Sequence, residues 1–443
     1  MNIKLRLTIM SFMQFFVWGA WLTTLGTYGF DIKKWSGEEF GAVFSTLGIA
    51  AIFMPALMGV IADKWLNLER LYGILHIVYG FVLFYLANTN EPSAFFWILL
   101  LAMCCYMPTL SLSNSLSYTL LKNNNYDVVK VFPPIRVWGT IGFIVAMWFT
   151  NLFSDTYSPW DFGKQIGQAI SDFTGNHINS NQFYFAGIGS IFLGIYSFFL
   201  PKCVPQKSSE KNSSFTKRLG LDAFRLFGNY NIALFFVFSM LLGASLQLTN
   251  MYGDTFLKDF KNIPEYADSV VVRYSTIIIS ISQVSETLFI LAIPFFLKRF
   301  GIKKVMLISM FAWFLRFGLF AVGAPTGFGL LSIILSNIVY GMAFDFFNIS
   351  GSLFIETSTD SKIRSSAQGL FMMMTNGFGS IIGSSLSGFV IGNYFTLGNG
   401  FKNWEGIWSV FAVYALIITI LFTLMFKHKH TRAEEEAINK ISH

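Results

Sequence analysis

Stretches of about 20 predominantly apolar residues, each enough to carry a helix across the hydrocarbon core of a bilayer, recur along the whole of this 443-residue chain. They fall near 6–30, 40–62, 70–89, 94–121, 134–154, 182–200, 231–256, 274–298, 302–323, 327–355, 364–392 and 404–427, which predicts twelve transmembrane helices. With 54% of its residues hydrophobic and only 12% charged, the chain carries far more apolar surface than one water-soluble core can bury. Because that surface is spread over the full length, a soluble enzyme with a single anchor is excluded and an all-α integral membrane protein is expected. The first stretch, Leu7 to Phe30 behind Lys4 and Arg6, is too long for a signal-peptide core and lacks a clear cleavage motif, so it reads as an uncleaved first helix.

Charge orients the spans. With both termini on the cytoplasmic side, 22 of the 31 Lys and Arg residues fall in cytoplasmic segments, 7 on the opposite side, and Arg136 and Arg316 within helices. That bias follows the positive-inside rule, and it accounts for the net charge of +7 without any nucleic acid partner. The richest basic segment, with Lys202, Lys207, Lys211, Lys217, Arg218 and Arg225, divides the spans six and six. The expected organisation is therefore a six-helix bundle over 1–200, a basic cytoplasmic linker over 201–229, a second six-helix bundle over 230–427 and a cytoplasmic tail over 428–443. Two six-helix bundles joined by a basic loop are the layout of the major facilitator fold, in which solute sits near the membrane midplane between halves that rock. Cys104, Cys105 and Cys203 have neither disulfide-framework nor metal-ligand spacing, and no cofactor is indicated.

Five segments, 54–65, 132–143, 241–250, 280–289 and 343–351, closely resemble in that order the bacterial nucleoside permeases of the nucleoside:proton symporter family. The resemblance extends from Met1 to about Lys429. It implies proton-coupled import of purine and pyrimidine nucleosides by alternating access across a bacterial inner membrane. It also implies a binding site drawn from Arg136, Thr140, Phe143, Gln247, Asn250, Gln283, Glu286, Tyr340, Phe344 and Asp345. Two features depart from the family pattern: residues 155–182 form a longer, more polar connection, and Ser245 stands where an acidic residue is expected.

The residues support this reading on their own chemistry. An ionised carboxylate inside a transmembrane helix costs about 2.5–3.5 kcal/mol on insertion scales, so it normally faces a cavity. Glu286 lies twelve residues from either end of its expected helix, about 18 Å by helical rise, hence close to midplane. Gln283, three positions earlier, shares its face, and an amide beside a carboxylate offers donors and acceptors suited to a base edge or ribose hydroxyls. Asp345 stands among Tyr340, Phe344, Phe346 and Phe347, where desolvation suits proton exchange; an ion pair with Arg316 is the alternative. Glu286 and Asp345 are the expected proton-coupling residues. Arg136, Thr140 and Phe143, at i, i+4 and i+7, share a face of a helix expected to start after Pro133-Pro134, and Phe143 is placed to stack on a base. Gln247 and Asn250 are amides suited to a neutral solute, or to gluing helices together. The glycines near 369–388 read as a close-packing surface.

Asp63 and Lys64, in the turn after the second span, resemble the short motif that locks the cytoplasmic gate of major facilitators, although a solvated turn fits nearly as well. His76 reads as a satisfied core imidazole rather than a proton relay. The sequence carries no H-E-x-x-H, no phosphate loop and no intramembrane His/Asp hydrolase constellation, so an enzyme is not expected. A proton-coupled sugar or drug transporter of the same fold is the alternative function, and a single chain is expected to complete the pathway.

Overall fold

The computed structural model describes residues 2–154, 158–174, 180–204, 221–360, 363–398 and 400–428. Among them the protein is helical apart from connecting turns and an isolated bridge between Thr396 and Lys402. Eight helices are long and apolar enough to cross a membrane: 37–62, 68–87, 92–123, 130–152, 230–262, 275–321, 327–358 and 404–425. The other expected spans are helical but shorter or interrupted. The first is Ile3–Gly19 followed by turns, Leu25–Thr27 and the wider coil Tyr28–Ile32. The sixth is Asn181–Ser197, and the eleventh is Arg364–Met372 and Gly379–Val390 joined and followed by wider turns at Met373–Phe378 and Ile391–Phe395. The 47-residue helix Ser275–Ala321 is two arms, since Gly301 breaks it with φ 76°, a left-handed conformation that glycine adopts without steric cost.

Local chemistry sets the helix ends. Ser36 and Glu39 form a reciprocal capping box: the Ser36 hydroxyl accepts from the Glu39 N–H at 3.2 Å while the Glu39 carboxylate accepts from the Ser36 N–H at 2.8 Å. Pro92 opens its helix where a missing N–H costs nothing. The Asn229 side chain accepts from the N–H groups of Asn231 and Ile232. Pro133 and Pro134 behave otherwise than expected. The helix begins at Val128 and runs through both of them; they lie exposed, where water can satisfy the carbonyls their rings leave unpaired. Phe143 remains close to the middle of the 25-residue helix.

The helices before residue 200 and those after 230 pack as two groups. Within the first, a buried polar network ties four helices. Gln14 accepts from the Tyr72 hydroxyl at 2.5 Å and from His76 Nε2 at 3.0 Å and donates to Thr109 at 2.9 Å, while His76 Nδ1 lies 2.9 Å from the Ser190 hydroxyl. Both ring nitrogens of His76 are thus engaged in the core. The helix Asp161–Thr174 occupies the polar connection that departs from the family pattern.

The two groups meet at the end of the molecule away from the N-terminus. There Gly37 and Gly41 approach Gly388 and Ser384 backbone to backbone, and Gly48 meets Gly377. Thr27 donates to Asp254 at 2.7 Å, Lys261 pairs with Asp31, Asn393 donates to Glu38 at 2.8 Å, and Trp148 donates to Ser280 at 2.8 Å. Toward the N-terminal end, Gly59 and Gly369 face open space. The close-packing role read for the helix-eleven glycines holds from Gly377 outward and not at Gly369.

Candidate functional site

Both halves contribute charged groups to the centre. Arg136, half-buried near the start of the fifth expected span, lies within electrostatic range of Glu286 and Asp345 from the other half. Its guanidinium carbon stands 3.9 Å from the Phe15 ring centroid, a cation–π contact that fixes where the side chain points. Glu286 is half-buried, midway along the first arm of Ser275–Ala321. Asp345 is buried, within range of both Glu286 and Arg136, and its Oδ2 has no hydrogen-bond partner. Two carboxylates and one guanidinium in a low-dielectric cleft form a set whose charge balance changes with a single proton.

Polar and aromatic groups surround this set. Tyr340 interacts with the Gln283 side chain and with both carboxylates. Its ring is parallel to Phe344 at 6.0 Å and edge-on to Trp313 at 5.9 Å. Phe143, in the other half, is buried edge-on to Trp18 at 6.3 Å. It is held there because Gly19 lets the first helix approach the Phe143 backbone more closely than any side chain would permit. Thr140, one turn from Arg136, and Asn250 are half-buried. Gln247 is buried with Oε1 unpartnered. A cleft lined by Leu246, Trp313, Phe344, Phe347, Asn348 and Asn376, among others, adjoins the stacked pair. Stacking surfaces, amides and a carboxylate pair can together grip a planar, hydroxyl-bearing, uncharged molecule.

Asp345 does not pair with Arg316, which instead donates to Ser336, Ser282 and Thr249. Lys258, two residues past the expected end of the seventh span, is buried inside the helix Tyr230–Asp259, 2.9 Å from Asp254 one turn earlier. That i, i+4 spacing of opposite charges was the available signal, since mutual neutralisation lets both enter the helix. Of the suggested gate residues, the Asp63 side chain lies outside the described residues, and Lys64 is exposed beside its neighbour Trp65. Trp18, Trp313 and Phe15 escaped the sequence reading because nothing in their spacing distinguishes them among so many aromatics. A second, polar cavity, lined by Thr24, Tyr28, Asn181 and Gln182 among others, lies toward the far end, away from the central cluster.

Residues 1–431 match the family model described as nucleoside H+ symporter. The chain belongs to that family. It is 50% identical over 432 residues to the nucleoside permease NupG of Escherichia coli, covering 98% of both chains. It is also 50% identical over 430 residues to the xanthosine permease of the same organism, covering 97% of each. The crystal structure of the nucleoside transporter NupG superposes with a TM-score of 0.84 at 50% identity, covering 97% of this chain and all of that one. The fold is thus the major facilitator fold, and the protein is a membrane transporter, not an enzyme.

Proposed function

We propose that this protein imports nucleosides together with protons across a bacterial inner membrane by alternating access, taking both purine and pyrimidine substrates. The observation that carries the reading is the central cluster, in which Arg136 of one half faces Glu286 and Asp345 of the other, beside an aromatic pair and the unused Gln247 acceptor. Both a nucleoside permease and a xanthosine permease stand at the same 50% identity, which favours recognition through ribose and ring stacking over a code for one base.

In this reading Phe143 and Phe344 flank the base, while Gln247, Asn250, Gln283 and Thr140 meet hydroxyls and base edges. Glu286 and Asp345 take the proton, and Arg136 stabilises whichever carboxylate is ionised. Tyr340 orders the wall between them. Taking 1–200 and 230–427 as the rocking units, with both termini cytoplasmic, the contacts between Thr27 and Asp254 and between Asp31 and Lys261 close the outer side, leaving the site open inward. Asp63 and Lys64 would engage when the inner side closes. One proton moving inward down 100 mV supplies about 2.3 kcal/mol, enough for roughly fifty-fold accumulation of a neutral solute. The pathway lies within one chain.

The test is radiolabelled uridine uptake into proteoliposomes under an imposed inward proton gradient, comparing wild type, Glu286→Gln, Asp345→Asn and a protonophore-treated control. The expected result is accumulation that collapses with the protonophore and with either substitution. A folded wild type that moves sugars or drugs and ignores uridine would overturn the assignment.

A further inference from the structure

Arg316 is wholly buried in the C-terminal half, and among the described residues no carboxylate pairs with it. A lone buried cation is among the costlier groups a fold can hold, and simply joining helices does not require one. The neighbouring Ser282 hydroxyl already donates to Asn337 at 2.7 Å, and Ser309 donates to the Ala343 carbonyl at 2.6 Å. What Arg316 adds is a planar fork that reaches three other helical segments at once. Its Nη1 donates to the Ser336 carbonyl at 2.8 Å and lies 3.4 Å from the Ser282 hydroxyl, its Nε donates to the Thr249 hydroxyl at 3.2 Å, and its guanidinium carbon sits 4.6 Å from the Tyr340 ring centroid.

Each of these partners adjoins a residue of the central cluster. Thr249 precedes Asn250 and follows Gln247 by two; Ser282 precedes Gln283 and lies one turn before Glu286; Ser336 lies one turn before Tyr340. The cation over the Tyr340 ring helps set the plane of the stack with Phe344. A lysine, a point charge on a flexible stem, cannot hold this set of directions simultaneously.

We propose that Arg316 is a positioning residue for solute recognition: without touching solute, it sets the plane of Tyr340 and the spacing of the amide-bearing segments around it. The inference rests on the nucleoside reading above. The experiment is calorimetric titration of uridine into purified protein, in a double-mutant cycle of Arg316→Met with Tyr340→Ala, with Arg316→Lys as a further variant. Arg316→Met raises Kd about tenfold in the wild-type background and less than about twofold when Tyr340 is already Ala, because contacting residues couple; Arg316→Lys falls short of full rescue. An unchanged Kd, or the same factor in both backgrounds, overturns the proposal. Should Arg316→Met fail to fold, Thr249→Val and Ser282→Ala each remove one partner of the fork and are expected to raise Kd about threefold; wild-type affinity in both overturns it. If wild type itself binds no uridine, the nucleoside reading fails. The brace is then decided by the Tyr340 ring in a structure of Arg316→Met or, if that variant does not fold, of Ser282→Ala, where an unmoved ring overturns it.

Discussion

Adding one methyl group at Gly388 is expected to open the far end of the molecule. A Cβ there would stand 2.3 Å from the Gly37 carbonyl oxygen and 2.9 Å from the Gly41 Cα. Both are backbone atoms of the other half, with no side-chain rotation to relieve them. The clash exists only while the halves are closed at this end, so Gly388→Ala acts on the equilibrium between closed and open rather than on the fold as such. The helix-propensity gain of alanine over glycine, about 1 kcal/mol, is present in both states and cancels. Overpacking of this kind costs about 1–3 kcal/mol, which multiplies the open-to-closed ratio by about 5–150. Spin labels at Lys34 and Tyr394, exposed at the far end on opposite halves, read that ratio by pulsed dipolar spectroscopy once Cys104, Cys105 and Cys203 are replaced by serine. The ratio of long-distance to short-distance populations should grow by that factor, and uptake should slow because every cycle closes this end. Gly369→Ala is the control, since a Cβ at Gly369 meets nothing within 4 Å. Superimposable distance distributions for wild type and Gly388→Ala, or an equal shift from Gly369→Ala, would refute the reasoning.

Other substitutions probe the remaining buried groups. Asp254 accepts from Thr27 and Ser275, both at 2.7 Å, and faces buried Lys258; Asp254→Asn is expected to cost about 3–5 kcal/mol, read as a lowered melting temperature, and adding Lys258→Met should recover part of it. Cys203 lies beyond the spanning helices, where burial and then the nearby Glu69 carboxylate push its thiol up to about 12. At pH 8 only about one thiol in ten thousand is then ionised, so maleimide should leave Cys203 unlabelled until the protein is denatured; prompt labelling of the folded form would contradict this. His76→Ala strips partners from Gln14 and Ser190 and should lower the melting temperature while leaving the pH dependence of uptake unchanged. A shifted pH profile would return His76 to the proton pathway.

How far the site was legible depended on how unusual each residue was for its surroundings. Glu286 and Asp345 stood out because charge is costly in an apolar helix, and Gln283 followed from helical spacing alone. Phe143 became a candidate through the face it shares with Arg136 and Thr140 together with the family resemblance, and Trp18, Phe15 and Trp313 stayed hidden among the many aromatics. Arg316 was visible as a buried charge, yet its partners were not: hydroxyls and a carbonyl on other helices carry no mark in the sequence. Pro133 and Pro134 misled because a proline pair signals a helix start only where no earlier turn is stabilised.

The sequence by itself determined that this is a membrane-spanning helical protein with ionisable groups inside its spans, because apolar length and the placement of charge are local properties of the chain. It also determined which residues face a common side of one helix, since 3.6 residues per turn requires nothing from the rest of the molecule. Only the tertiary structure decided which helices touch across the two halves, that they touch at the end away from the N-terminus, and that Arg316 is tied to Tyr340 rather than to Asp345. Those choices rest on backbone approaches at Gly37, Gly41 and Gly388 and on hydrogen bonds between residues as distant in sequence as Thr27 and Asp254, and no periodicity within a single helix encodes them.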